Sequence, residues 1–121
     1  AAPAKKLVQY IVVRRDLQET LGWPSGAVMA QACHAATAAI HLFYSNPDTE
    51  AYLADLDRMH KVVLDASSEA ELTSLSQTLT ANGVEHKLWI EQPENYPTAL
   101  AVRPYNKTDV QALFKQFKML K

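Results

Sequence analysis

Two short stretches carry the residues best suited to chemistry. In AQACHAATAAIHLF, residues 30–43, Gln31, His34, Thr37 and His41 recur at three- and four-residue spacing, so on a helix they form one stripe. The rest of that stretch is Ala, Ile, Leu, Phe or Cys. A solvent face normally carries Lys, Glu and Arg; this one has none, so it is either a neutral outer face or the wall of a cleft. In the second case His34 supplies a proton acceptor or a ligand-binding donor, and Gln31, one turn earlier, faces the same way. His41, two turns later, is peripheral. The other stretch, WIEQPENYPT at 89–98, sets the carboxylate of Glu91 at a strand end, before a proline-rich loop with Asn95 and then Thr98. Strand-end loops are where α/β folds commonly hold their sites, although turn chemistry explains Pro93, Asn95 and Pro97 equally well.

Other chemistries find less support. Cys33 and His34 are neighbours, roughly 100° apart around a helix, and cannot form a thiolate–imidazolium pair with each other. His34, His41, His60 and His86 show no metal-ligand spacing, and Asp55 and Asp57 fall on different helix faces. There is no glycine-rich phosphate loop, no dinucleotide fingerprint and no Gly-x-Ser-x-Gly elbow. Neither a metal nor a cofactor is implied.

The elements that must hold these residues follow from periodicity. LVQYIVV, Leu7 to Val13, has the nearly continuous apolar character of a central strand covered on both faces. GWPSG follows as a turn, with Ser25 as the expected N-cap of a long apolar helix running to about Tyr44. Tyr52, Leu53 and Leu56 mark a surface helix from about Asp48 to Arg58. KVVLDA, Lys61 to Ala66, is a second strand, and SSEAEL opens a capped helix that stops at Asn82-Gly83. HKLWI, His86 to Ile90, is a third strand, expected parallel to the second and near the sheet centre. TALAV, Thr98 to Val102, returns antiparallel as the fourth. A last helix spans Asn106 to Phe117, with Val110, Leu113, Phe114 and Phe117 inward. The expectation is an α/β fold: a single layered domain with a four-stranded mixed sheet and helices on both faces.

Bulk properties agree with one domain over residues 7–121, preceded by a flexible extension over 1–6. The 121 residues, 48% hydrophobic and 21% charged, suffice for a core without staples. A net charge of −1 gives no global pull on polyanions, so nucleic acid would have to meet a local patch. The single cysteine, Cys33, fits a reducing compartment and suggests the cytoplasm. Thr20 to Pro47 lacks Asp, Glu, Lys and Arg, but its polar stripe argues for a buried helix and against a membrane span.

YIVVRRDL (10–17), SGAVMAQACHAATAA (25–39), KVVLDASSEAEL (61–72) and LAVRP (100–104) resemble the type 2 peptidyl-tRNA hydrolase family of archaea and eukaryotes. With LWIEQPEN they look most like its divergent eukaryotic branch of peptidyl-tRNA hydrolase domain-containing proteins. The likeness covers nearly the whole chain after Leu7 and rests most specifically on Ala30, Gln31, His34 and Ala35. It implies hydrolysis of the ester joining a peptide to the 3′ end of tRNA, which releases reusable tRNA. Where the family has a lysine this chain has Ala27; the family aspartate appears as Glu91, the loop after it is short, and Thr98 is retained.

Such chemistry needs a positioned water, a base and oxyanion donors, with no covalent intermediate. His34 or Glu91 would orient or deprotonate the water, while Gln31, Thr98 and backbone N–H groups bind the carbonyl or the peptide. Arg14, Arg15, Lys87, Arg103, Lys107, Lys115, Lys118 and Lys121 are candidates for the peptidyl-tRNA acceptor end, although each is equally a solvated surface charge. Trp23 could stack on a terminal base, whereas Trp89 reads as core. A second reading, favoured by Ala27 and the short loop, is a module that binds an RNA end or a protein partner without hydrolysis. Oligomeric state is open, a homodimer included.

Overall fold

The computed structural model describes residues 5–121. Strand β1 (Leu7–Arg14) is buried from Val8 onward, as its nearly continuous apolar run requires of a strand covered on both faces; the one amide in the run, Gln9, is buried too and donates to the Ala36 and Val102 carbonyls. It pairs parallel with β2 (Lys61–Ala66) and antiparallel with β4 (Tyr96–Val102). Helices α1 (Asp16–Glu19), α2 (Ser25–Leu42) and α3 (Pro47–Ala54) lie between β1 and β2 in sequence; α4 (Glu69–Ala81) connects β2 to β3 (His86–Glu91). The chain ends with β5 (Tyr105–Asn106), α5 (Lys107–Val110), a 3₁₀ turn over Gln111–Phe114 and β6 (Lys118–Met119).

The sheet order is β3-β4-β1-β2-β6, with β5 on the start of β1. The sheet is therefore six-stranded, against the four expected. Both additional strands are two residues long, too short to leave an alternation in the sequence. Nor is β3 central: the short turn to β4 makes those two a hairpin, and β4 takes the place beside β1, which leaves β3 at the sheet edge.

One apolar layer, with Ile11, Val13, Ala35, Ala39, Ala99 and Ala101, lies between the sheet and α2. Alanine on both surfaces lets the helix backbone approach the sheet closely. The opposite layer gathers Val12, Leu64, Leu72, Leu75, Leu100 and Phe114 under α4 and the C-terminal segment. Helical cover on both faces thus matches the expectation.

Three local expectations are corrected. Pro24, with no side-chain bond, occupies the N-cap position of α2, and Ser25 is its first residue. The helix expected to reach Arg58 stops at Ala54 and continues as a 3₁₀ turn over Leu56–Arg58. The expected C-terminal helix breaks after Val110, because a tighter turn brings Phe114 onto Tyr10, ring centroids 4.5 Å apart, and frees Lys118 and Met119 to pair with Asp65 and Leu64. Ser68 does cap α4: its Oγ accepts from the Glu71 N–H at 3.2 Å, while the Glu71 carboxylate accepts from the Ser67 N–H at 2.8 Å. Of the extension expected over 1–6, the first four residues lie outside the described ones. The Lys6 carbonyl accepts from the Lys107 N–H at 2.9 Å.

Candidate functional site

The site lies where β1 and β3 end and β4 begins, beneath the first half of α2. Glu91 closes β3 opposite Tyr96, so the connecting turn is only Gln92 to Asn95. Asn95 adopts φ 57°, a conformation asparagine tolerates better than most residues, and its N–H returns to the Glu91 carbonyl at 2.7 Å. This turn fixes where the Glu91 side chain begins.

Thr98 is placed by an irregularity in β4. Trp89 faces Ala99 but Ile90 faces Pro97, so Thr98 is the extra residue of a β-bulge. In a regular strand Thr98 and Ala99 would point to opposite faces. The bulge turns both toward α2: Ala99 packs in the α2 layer and the Thr98 hydroxyl donates to Gln31 Oε1 at 2.7 Å.

That bond orients the Gln31 amide. Its Nε2 then donates to Glu91 Oε2 at 3.2 Å and, one turn back, toward the Ala27 carbonyl at 3.4 Å. The other carboxylate oxygen, Glu91 Oε1, accepts from the Trp89 indole N–H at 3.0 Å. Trp89 and Glu91 are two residues apart on a strand and share a face. The Trp89 ring also lies under the His34 imidazole, with centroids 4.9 Å apart and planes 23° from parallel. The indole N–H, the Gln31 amide and the neighbouring His34 hold the Glu91 carboxyl below its ordinary 4.5, against the opposing effect of burial.

Burial divides the four residues. Gln31 is 2% exposed and Thr98 0%, whereas Glu91 is half-exposed and His34 exposed. Only the last two present polar atoms to a ligand. Both hydrogens of the Gln31 amide and the Thr98 hydroxyl are already engaged. The rest of the stripe runs on from the site: Thr37 and His41 are exposed along α2.

A second layer steadies the start of β4. The Arg14 guanidinium is buried, forks onto both Asp16 carboxylate oxygens at 3.0 and 2.9 Å, and donates to the Pro97 carbonyl at 2.9 Å. It also lies 5.4 Å from the centre of the Tyr96 ring, whose far neighbour is Trp23 at 6.1 Å. Sequence reasoning missed these supports, Trp89 above all; the available signal was its place two residues before Glu91.

The cations sort by sheet end. Arg15, paired with Asp65 at 2.9 Å, lines a cleft of about 480 Å³ with Lys118 and Lys121, at the end of the sheet that carries Glu91. Arg103 sits at the opposite end, buried against Glu85 at 3.0 Å and Asp48 at 3.6 Å. Lys87 is half-exposed on β3, on the Trp89 face; Lys115 is exposed and Lys107 half-buried on the C-terminal segment. Among the described residues no three His, Cys, Asp or Glu side chains gather as a metal site would need, and no helix is long and apolar enough to cross a membrane.

The family model described as "Peptidyl-tRNA hydrolase PTH2" matches residues 7–120. A Mus musculus protein named "Putative peptidyl-tRNA hydrolase PTRHD1" is 53% identical over 116 residues, covering 95% of this chain and 83% of its own. Its Homo sapiens namesake is 50% identical over 121 residues, covering 99% of this chain and 86% of its own.

Proposed function

Since the chain belongs to the PTH2 family of peptidyl-tRNA hydrolases, which cleave the ester between a peptide and tRNA, we propose that Glu91 and His34 activate the attacking water while Gln31 and Thr98 act as positioning residues. The observation that carries this reading is the bonded series Thr98, Gln31, Glu91 and Trp89, in which the Glu91 carboxylate is held beside the exposed imidazole of His34.

The two groups divide the work by their chemistry. A carboxylate with both oxygens already accepting, and held below its ordinary value, is a weak base and a good fixed negative charge. Imidazole is the commoner proton acceptor. Water held between them gives its proton to His34 and attacks the ester carbonyl carbon, and Glu91 offsets the imidazolium charge. The tetrahedral intermediate collapses with cleavage of the bond to the ribose oxygen, which takes the proton back from His34. The products are a tRNA with a free terminal hydroxyl and a peptide carboxylic acid, which loses its proton to solvent.

For the acceptor end we assign Arg15, Lys118 and Lys121, which share the sheet end of Glu91, ahead of Arg103, which does not. Their cleft also holds Glu19, Asp65 and Glu71, so the attraction is local and salt-sensitive. The cytoplasm, where peptidyl-tRNA is met, suits a chain whose one cysteine can form no internal disulfide.

The non-hydrolytic reading is favoured by Ala27, which leaves no cation one turn before Gln31. Single-turnover hydrolysis of an N-acetylated aminoacyl-tRNA at low salt decides between them. Cleavage by the wild type that Glu91→Gln and His34→Ala abolish without unfolding supports the enzyme; tRNA binding with no cleavage above buffer supports the module.

A further inference from the structure

Strand β3 ends the sheet, and its outer side pairs with nothing among the described residues. An open strand edge is a row of unpaired donors and acceptors, and this one leads directly to Glu91. The register fixes which groups it offers. Arg103 N–H bonds the Glu85 carbonyl and Asn95 N–H the Glu91 carbonyl, so the odd-numbered residues of β3 turn their backbone toward β4. The N–H and C=O groups of His86, Leu88 and Ile90 therefore face outward. From His86 to Ile90 this edge is about 13 Å long, room for four or five extended residues.

We propose that this edge binds the peptide of peptidyl-tRNA as an added strand, parallel to β3, with its esterified carboxyl end level with Glu91. The inference rests on the hydrolase reading above and concerns the other half of the same substrate. The direction follows from chemistry: the ester is at the peptide's C-terminus, so the chain must run from the His86 end toward Glu91, which is the direction of β3. Main-chain pairing also suits a substrate whose side chains vary without limit, because it reads the backbone alone. The apolar groove of about 420 Å³ lined by Cys33, Tyr52 and Lys61 lies on the β2 side of α2, away from Glu91, and offers those side chains no alternative beside the ester. Lys87 puts a charge on the edge strand, a device that discourages indiscriminate strand pairing.

The test varies the substrate and leaves the protein intact. Hydrolysis is measured on tRNA carrying N-acetylated peptides of one to four residues, and on four-residue versions N-methylated at each position in turn. KM is expected to fall about tenfold from one residue to four, the worth of one or two backbone hydrogen bonds, with the single-turnover rate nearly constant. N-methylation is expected to abolish that gain at alternate positions only, because successive N–H groups of a strand point to opposite sides. Cleavage with a KM indifferent to length, or a gain insensitive to N-methylation, overturns the strand pairing and leaves the hydrolase reading standing. Slow exchange of the outward His86, Leu88 and Ile90 amides in a substrate-free dimer overturns it too, by giving the edge to a second copy. No cleavage of any substrate overturns both readings together.

Discussion

The Thr98 hydroxyl donates to Gln31 Oε1 at 2.7 Å, and that bond decides which end of the Gln31 amide meets Glu91. Without it the amide is free to turn its oxygen toward the carboxylate, where two acceptors repel. Thr98→Val keeps the shape and removes the hydroxyl. We expect kcat to fall about tenfold with KM within about twofold, the signature of a lost orientation and an intact binding surface. The buried Gln31 oxygen left without a donor should cost about 1–3 kcal/mol in urea unfolding. Thr98→Ser should restore most of both, an outcome that a purely steric role for Thr98 would not give.

How much of this was legible beforehand depends on the range of the interaction. The stripe of Gln31 and His34 is visible because helical spacing is local, and strands β1 and β2 because their apolar runs are long. The approach of Thr98 to Gln31 is not, since it depends on a bulge, and a bulge exists only relative to a partner strand. Trp89 reads as core because an indole is mostly hydrocarbon, and its ring does pack against the α2 layer; that its N–H also bonds Glu91 follows from the strand bringing positions 89 and 91 to one face. Arg14 looked like a free cation at a strand end, and only the fold reveals Asp16 and the Pro97 carbonyl around it.

Trp89 makes two separable contacts, an indole bond to Glu91 and a stack under His34. Trp89→Phe removes the first and keeps a ring for the second. The Glu91 carboxyl should then titrate closer to its ordinary 4.5, observable by carbon NMR of the side chain. The sign for stability follows from the lowered folded-state value: the carboxylate's contribution is complete above about pH 4.5 and is lost as pH falls through that lower value. The stability gap between wild type and Glu91→Gln should therefore persist above about pH 5 and narrow below. A gap that closes near neutrality would mean that the carboxyl is not held down.

Arg14 and Lys118 were both candidates for RNA, and their surroundings predict different phenotypes. Arg14 is buried and forked onto Asp16, so Arg14→Lys loses the two-pronged geometry and should lower stability by about 2 kcal/mol, loosening the start of β4 at Pro97. The salt dependence of tRNA binding should not change. Lys118 is exposed, so Lys118→Ala should leave thermal unfolding unaltered while the slope of log K against log salt drops by about 0.7–0.9, one phosphate's worth. Equal slopes for both variants and wild type would move the RNA path elsewhere.

Ala27 stands in the first turn of α2, and its carbonyl accepts the second hydrogen of the Gln31 amide. It is thus on the Gln31 side of the helix, one turn earlier, where a longer side chain could reach the reacting carbonyl. Losing a donor aimed at an oxyanion typically costs about 10²–10³ in rate, so this chain is expected to be a slow catalyst whose rate a cation can raise. Ala27→Lys should increase the single-turnover rate on an N-acetylated aminoacyl-tRNA by about tenfold, less than the full factor because nothing around position 27 is organised to hold the ammonium. It should also reduce stability by about 0.3–1 kcal/mol, since a positive charge at a helix N-terminus opposes the dipole. A rate unchanged in a folded Ala27→Lys variant would show that developing charge on the ester oxygen is not what limits this site.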